Sequence, residues 1–242
     1  MNANDETGEG TNPFGPDATQ ILATEHWSLL AARALIWNEA MSRATVFLSL
    51  LSAAIIALAL LADATGFGPR TTTLAMVLLP VVLFLGIATH IRLVQINTEE
   101  VKTVLAMNRL RHAYLEIAPG LEPYITTGHH DDEKGLAAGY LLAGHSRLRP
   151  WAQFFQATAT IVATVDAALA ATIVVLILQA ADASNAALLV AGTAAFLGAW
   201  GALFSWQRHA LDPLRRMTPR FPTPPEEQRK GSTRRAAVDL RM

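Results

Sequence analysis

Four stretches of this chain run for about twenty residues with almost no charge, and no other feature restricts its fold as tightly. They are residues 45–62, 72–89, 155–178 and 186–204. A hydrocarbon core about 30 Å thick is crossed by a helix of about 20 residues, and only structures that satisfy every backbone group internally survive there. Text such as FLSLLSAAIIALALL is too rich in Leu and Ala to form a strand. The expected fold is therefore an all-α integral membrane protein with four transmembrane helices. The second run contains Pro80, which membrane helices tolerate where neighbours satisfy the freed carbonyl, and the third contains Asp166.

Only 16% of residues are charged and 52% are hydrophobic, against about 25% charged in a soluble domain. A formal charge of -1 gives no whole-chain attraction to nucleic acid. With no cysteine, disulfides, thiolate nucleophiles and Cys-ligated zinc are excluded. The chain has no GxGxxG, Walker, HExxH or GxSxG motif, so neither an enzyme activity nor a cofactor is expected.

Basic residues set the orientation. Two precede the first run, seven lie between the second and third and nine follow the fourth, whereas the two short turns share only Arg70. By the positive-inside rule both termini face the cytoplasm, across the cytoplasmic membrane. The four spans then form two hairpins, and the recurrence of Phe84-Leu85-Gly86 as Phe196-Leu197-Gly198 fits two parallel units.

Before the first span, Trp27, Leu30, Ala34, Trp37 and Met41 recur at helical spacing. No Pro or Gly intervenes, so residues 19–62 can form one helix of roughly 65 Å. After the second span, Val104, Met107, Leu110, Tyr114 and Ile117 form a similar stripe that stops at Pro119. Thr98 and the two glutamates after it look like an N-cap, so this helix either restarts there or runs through from the span. The two stripes are expected to pair as a cytoplasmic extension of the first hairpin within residues 19–118; the alternative for each is a helix lying flat on the bilayer. Residues 1–18 read as a disordered acidic tail, 119–154 as a cytoplasmic loop with a short helix, 155–211 as the second hairpin and 212–242 as a disordered, basic, Pro-rich tail.

A cytoplasmic helix entering a two-helix membrane hairpin, followed by a second cytoplasmic helix, resembles in architecture the two-span effector modules of bacterial defence systems. The resemblance implies pore formation.

Asp166 is the most informative single residue, because an aspartate at a span centre costs about 2.5 to 3.5 kcal/mol on translocon scales. Ala159, Ala163 and Ala170 share its stripe, which points the carboxyl at a neighbouring helix. It acts there either as a hydrogen-bonding link between helices or as an ion or proton site, with Thr160 and Thr164 nearby on the same helix. Pro80 frees the carbonyl of Met76 at a similar depth, a second potential ligand. In the fourth span Ala187, Ala191, Ala194, Gly198, Gly201 and Ser205 form a small-residue face for close helix packing, within one chain or between copies. The run His129-His130-Asp131-Asp132-Glu133 has metal-binding residue types but not the spacing, and Asp131 or Asp132 serves better as a helix N-cap, so no metal is expected. His90, Arg92, Trp151, Trp206 and Arg208 read as interfacial anchors. Asn108-Arg109-Leu110-Arg111-His112 is the densest basic patch on a helix and reads as a solvated face.

Two functions follow. One is an oligomeric membrane scaffold or regulator whose cytoplasmic face, carried by Trp27, Leu30, Trp37, Met107, Leu110 and Tyr114, meets a protein partner or anionic lipid. The other is an oligomeric ion channel or pore-forming effector with Asp166 on the path.

Overall fold

The computed structural model describes residues 14–15, 17–66, 68–140 and 158–225. The described residues are helical, with no strand among them. In chain order they form α1 (Ala18–Thr65), α2 (Pro69–Ile117), a 3-10 turn (Pro119–Tyr124), α3 (Glu133–Gly139), α4 (Thr158–Ala180), α5 (Asn185–Ala210) and the single turn α6 (Asp212–Arg215). Four of these, α1, α2, α4 and α5, are long and apolar enough to cross a membrane. At 1.5 Å per residue, the 48 residues of α1 measure about 72 Å.

Local chemistry sets the ends. No Pro or Gly interrupts α1, and it stops where Gly66 takes a left-handed φ of 73°, the conformation that caps helices and that lacks a steric penalty only for glycine. Pro69 opens α2, where its missing N–H is no loss, and Pro119 lies just beyond its end. The Thr71 hydroxyl donates to the Gly66 carbonyl at 3.0 Å and ties the turn. Ser184 accepts from the N–H of Ala187 and caps α5.

The chain divides into two compact units. One draws on the described parts of Met1–Ala32, Val101–Ser146 and Met217–Met242; the other on Arg33–Glu100 and Arg147–Arg216. The second unit contains the apolar windows of all four candidate spans. Its core includes Ala40, Phe47, Ala54, Leu79, Val82, Leu93, Ala159 and Val162. Small residues line the packed side of α1, namely Ala40, Ala44, Ala54 and Ala62, whereas Val46, Ile55, Ile56 and Leu60 point outward. That inversion of the soluble pattern is expected in lipid, where large apolar side chains gain nothing by leaving the tails and small ones allow close helix contact. At the charged end of these helices Arg92 makes a two-bond contact with Glu39, at 2.9 and 3.1 Å, and also reaches Glu99. Arg33 pairs with Glu100. Hydrogen bonds from Arg92 and then Arg43 hold the Glu39 carboxyl down to about 2.

In the first unit α2 supplies the buried Val104, Met107 and Asn108. Tyr114 donates to the Leu22 carbonyl at 3.0 Å and stacks on His26, so α1 meets α2 here through Leu22 and His26. Trp27 is 73% exposed. Residues 212–225, part of the tail expected to be disordered, take up defined structure. They form α6 and then an extended strap whose polar groups bond to Asp131 and Asp132. A Pro-rich segment loses little chain entropy on docking, which is why so polar a sequence is held. Residues 1–13, 141–157 and 226–242, which include Trp151 and most of both expected tails, lie outside the described residues.

Candidate functional site

Asp166 lies on the packed side of α4 and is 0% exposed. Its carboxyl rests against the backbone of α2 at Gly86: a Cβ built there would collide with Oδ1 and lie 2.7 Å from Cγ and 2.8 Å from the Phe47 ring. Glycine is therefore the residue that admits the carboxyl. Phe47 and, on α4 itself, Val162, Ala163 and Ala167 are buried as well. Neither carboxyl oxygen has a hydrogen-bond partner among the described residues, so the ionised form has no compensating contact.

The other polar groups of the bundle divide between bonded and unbonded. Thr164 accepts from Trp200 Nε1 at 3.2 Å and donates to the Thr160 carbonyl, linking α4 to α5. Thr160 is buried and its hydroxyl lacks a partner. Pro80 is exposed and Met76 half-buried; the Asp166 carboxyl lies at Gly86, six residues further along α2 than Pro80, so the structure does not gather the carboxyl and the proline into one site. His90, expected at the interface, is instead 0% exposed, with Nδ1 2.9 Å from the Ala159 carbonyl and its ring 5.9 Å from that of Trp206. Arg92 is ion-paired rather than anchoring alone.

The small-residue face of α5 is open. Ala187, Ala194, Gly198 and Ser205 are exposed, Ala191 and Gly201 are half-buried, and a Cβ on Gly198 or Gly201 would touch nothing within 4 Å. The side that meets α4 includes Gly192, where a Cβ would come within 2.9 Å of Val175. Of the expected cytoplasmic face, Met107 is buried, Leu110 and Tyr114 are half-buried, and Leu30, Trp27 and Trp37 are exposed.

The densest polar arrangement lies in the first unit. Asp131 accepts from Arg109 Nε at 2.7 Å and from the N–H groups of Arg220 and Phe221 at 2.9 and 2.7 Å. Asp132 caps α3 through the Gly135 N–H and accepts from the Thr223 N–H and hydroxyl at 2.8 and 2.9 Å. Burial works against both charges, but these bonds outweigh it and hold both carboxyls below their ordinary value. Phe221 stacks on His112 with ring centres 4.2 Å apart, and its carbonyl lies 3.3 Å from His130 Nδ1. Asn108 donates to the carbonyls of His130 and Gly135 and accepts from Arg111, so the patch read as a solvated face holds the loop in place. Beside the strap is a groove of about 1110 Å³ lined in part by His112, Glu116, Glu122, His129, His130 and Lys134. Among the described residues no three of His, Asp and Glu are placed to hold a metal ion.

No family model, curated protein or solved structure matches the chain. The residues alone therefore carry the functional reading. Sequence reasoning missed Gly86, the burial of His90 and the strap. For Gly86 a signal was present: it is the one glycine in an otherwise bulky span, and an aspartate on a facing helix needs such a gap.

Proposed function

We propose that the protein is an oligomeric scaffold or regulator of the cytoplasmic membrane. In this reading two helical hairpins cross the bilayer with both termini inside, the open face of α5 joins copies, and the cytoplasmic helices bind a protein partner or anionic lipid. The observation that carries it is the burial of Asp166: a conduction path needs polar surface that water reaches, and this carboxyl is 0% exposed and lies against the backbone at Gly86. Bonded polar structure is concentrated instead around Asp131 and Asp132, where a chain can be recognised by its backbone. No residue is assigned a catalytic role.

The test is ion flux through liposomes containing the purified protein, beside Asp166→Asn and a mass measurement of the assembly in native membranes. A well-folded homo-oligomer that passes no ions is expected. Flux that falls or changes selectivity in Asp166→Asn refutes the scaffold reading and establishes the second one, an ion channel or pore-forming effector. That alternative is favoured by one observation, the lack of a hydrogen-bond partner for the Asp166 carboxyl and the Thr160 hydroxyl among the described residues.

A further inference from the structure

Four arginines of the described chain, Arg33, Arg43, Arg92 and Arg109, have their charge matched by a carboxylate. The end of α5 differs. Arg208, His209 and Arg216 are exposed, and among the described residues none of them forms an ion pair with a carboxylate. From residue 205 to 225 Asp212 is the one acidic residue. Unmatched cations at the end of an apolar helix long enough to span lie at the depth of lipid headgroups.

The local geometry holds the first of these cations in place. Trp200 is fixed by its bond to Thr164, Phe204 stacks on Trp200 with ring centres 5.0 Å apart, and the Arg208 guanidinium lies 5.4 Å from the centre of the Phe204 ring. This ladder at i, i+4 and i+8 restrains a side chain that is otherwise costly to order, and a guanidinium on an aromatic face keeps its N–H edge free for an anion. Trp206, 42% exposed, adds the amphipathic ring favoured at a membrane interface.

We infer that the end of α5 binds the phosphate of an anionic phospholipid, with Arg208 and Arg216 as the cationic donors, His209 as a neighbouring N–H donor and Trp206 packed against the lipid beneath the headgroup. The inference deepens the lipid half of the proposed function and rests on α5 spanning the bilayer. Zwitterionic lipid carries a phosphate too, but its ammonium cancels the net charge that two unmatched arginines attract. Each basic residue near an anionic surface contributes about fivefold in affinity, from about 1 kcal/mol.

The experiment uses the full chain in nanodiscs of phosphatidylcholine with graded phosphatidylglycerol, released and weighed by native mass spectrometry. The wild-type protein is expected to retain phosphatidylglycerol in preference to phosphatidylcholine, with retention falling as salt rises. Arg208→Gln with Arg216→Gln should cut that preference by about 20- to 30-fold at unchanged helix content. Arg70→Gln, which removes the lone basic residue of the α1–α2 turn, should leave it near wild type. Equal retention by the double variant overturns the proposal, as does an equal loss from Arg70→Gln. Displacement of the lipid by millimolar inorganic phosphate would show a site for free anions and also overturn it. A protein that stays outside the nanodiscs refutes the spanning reading instead, so the two failures are distinguishable.

Discussion

Replacing Gly86 by alanine inserts one methyl group where the structure has no space for it. The new Cβ would overlap Asp166 Oδ1 and press on the Phe47 ring at 2.8 Å. Asp166 is 0% exposed and cannot swing into lipid without α4 shifting. Overpacking of this kind costs about 1 to 3 kcal/mol, while exchanging glycine for alanine inside a helix returns about 1 kcal/mol. Because the Cβ falls on Oδ1 the upper end of that cost applies, so Gly86→Ala is expected to lose about 2 kcal/mol net. The informative step is to repeat the substitution in an Asp166→Ala background. With the carboxyl gone only the edge of Phe47 must yield, so the same change becomes neutral or stabilises by up to about 1 kcal/mol. Reversible unfolding in mixed micelles, followed by helix ellipticity, gives all four corners of the cycle, and a coupling of about 2 kcal/mol is expected. Additive effects within about 0.5 kcal/mol would refute the claim that Gly86 exists to admit Asp166.

Three further outcomes follow from the same contacts. Asp131→Asn or Asp132→Asn removes charge from bonds worth about 1.5 to 3 kcal/mol together with their charged acceptor, so trypsin should cut after Arg216 and Arg220 about tenfold faster or more at neutral pH. Since both carboxyls are held below their ordinary value in the folded chain, their contribution is present above the ordinary carboxylate range and lost as pH falls through the lowered values, so amide hydrogen exchange should show the wild-type strap opening only in acid. Gly198→Leu with Gly201→Leu fills positions that touch nothing in the chain; native mass spectrometry should show smaller assemblies with unfolding of the single chain unchanged, and unaltered assemblies would remove α5 as the joining face. A reporter fused after Met242 should be active only in its cytoplasmic form, and a periplasmic signal would reverse the orientation.

Four helices of spanning length were legible because that signal is local: apolar length alone decides it. The packing face of α1 was not. Trp27 and Trp37 stand out on any hydrophobicity scale, yet they are 73% and 61% exposed, while Ala40, Ala44 and Phe47 face inward. Both tryptophans precede the apolar run, so lipid does not account for them; within residues 45–62, where Ile55 and Ile56 are exposed and Ala54 and Ala62 buried, shape rather than hydrophobic weight decides which side packs. Asp166 was legible as an inward-facing residue because Ala159, Ala163 and Ala170 share its stripe. Its true neighbour was hidden, since Gly86 lies 80 residues earlier and the proline six residues from it was the more conspicuous signal. The N-cap role of Asp132 is local and readable. Its bond to Thr223 spans 91 residues, with no periodicity to announce it.

The strap also bears on how the protein is made. Asp131 and Asp132 emerge from the ribosome about ninety residues before the groups that bond them, and both α4 and α5 are synthesised in that interval. Until Thr223 has been added, Asp131 has only Arg109 and Asp132 only the Gly135 N–H of the donors described above. The first unit thus begins with the earliest residues of α1 and closes among the last described residues of the chain. Its completion reports that both later helices have already been made.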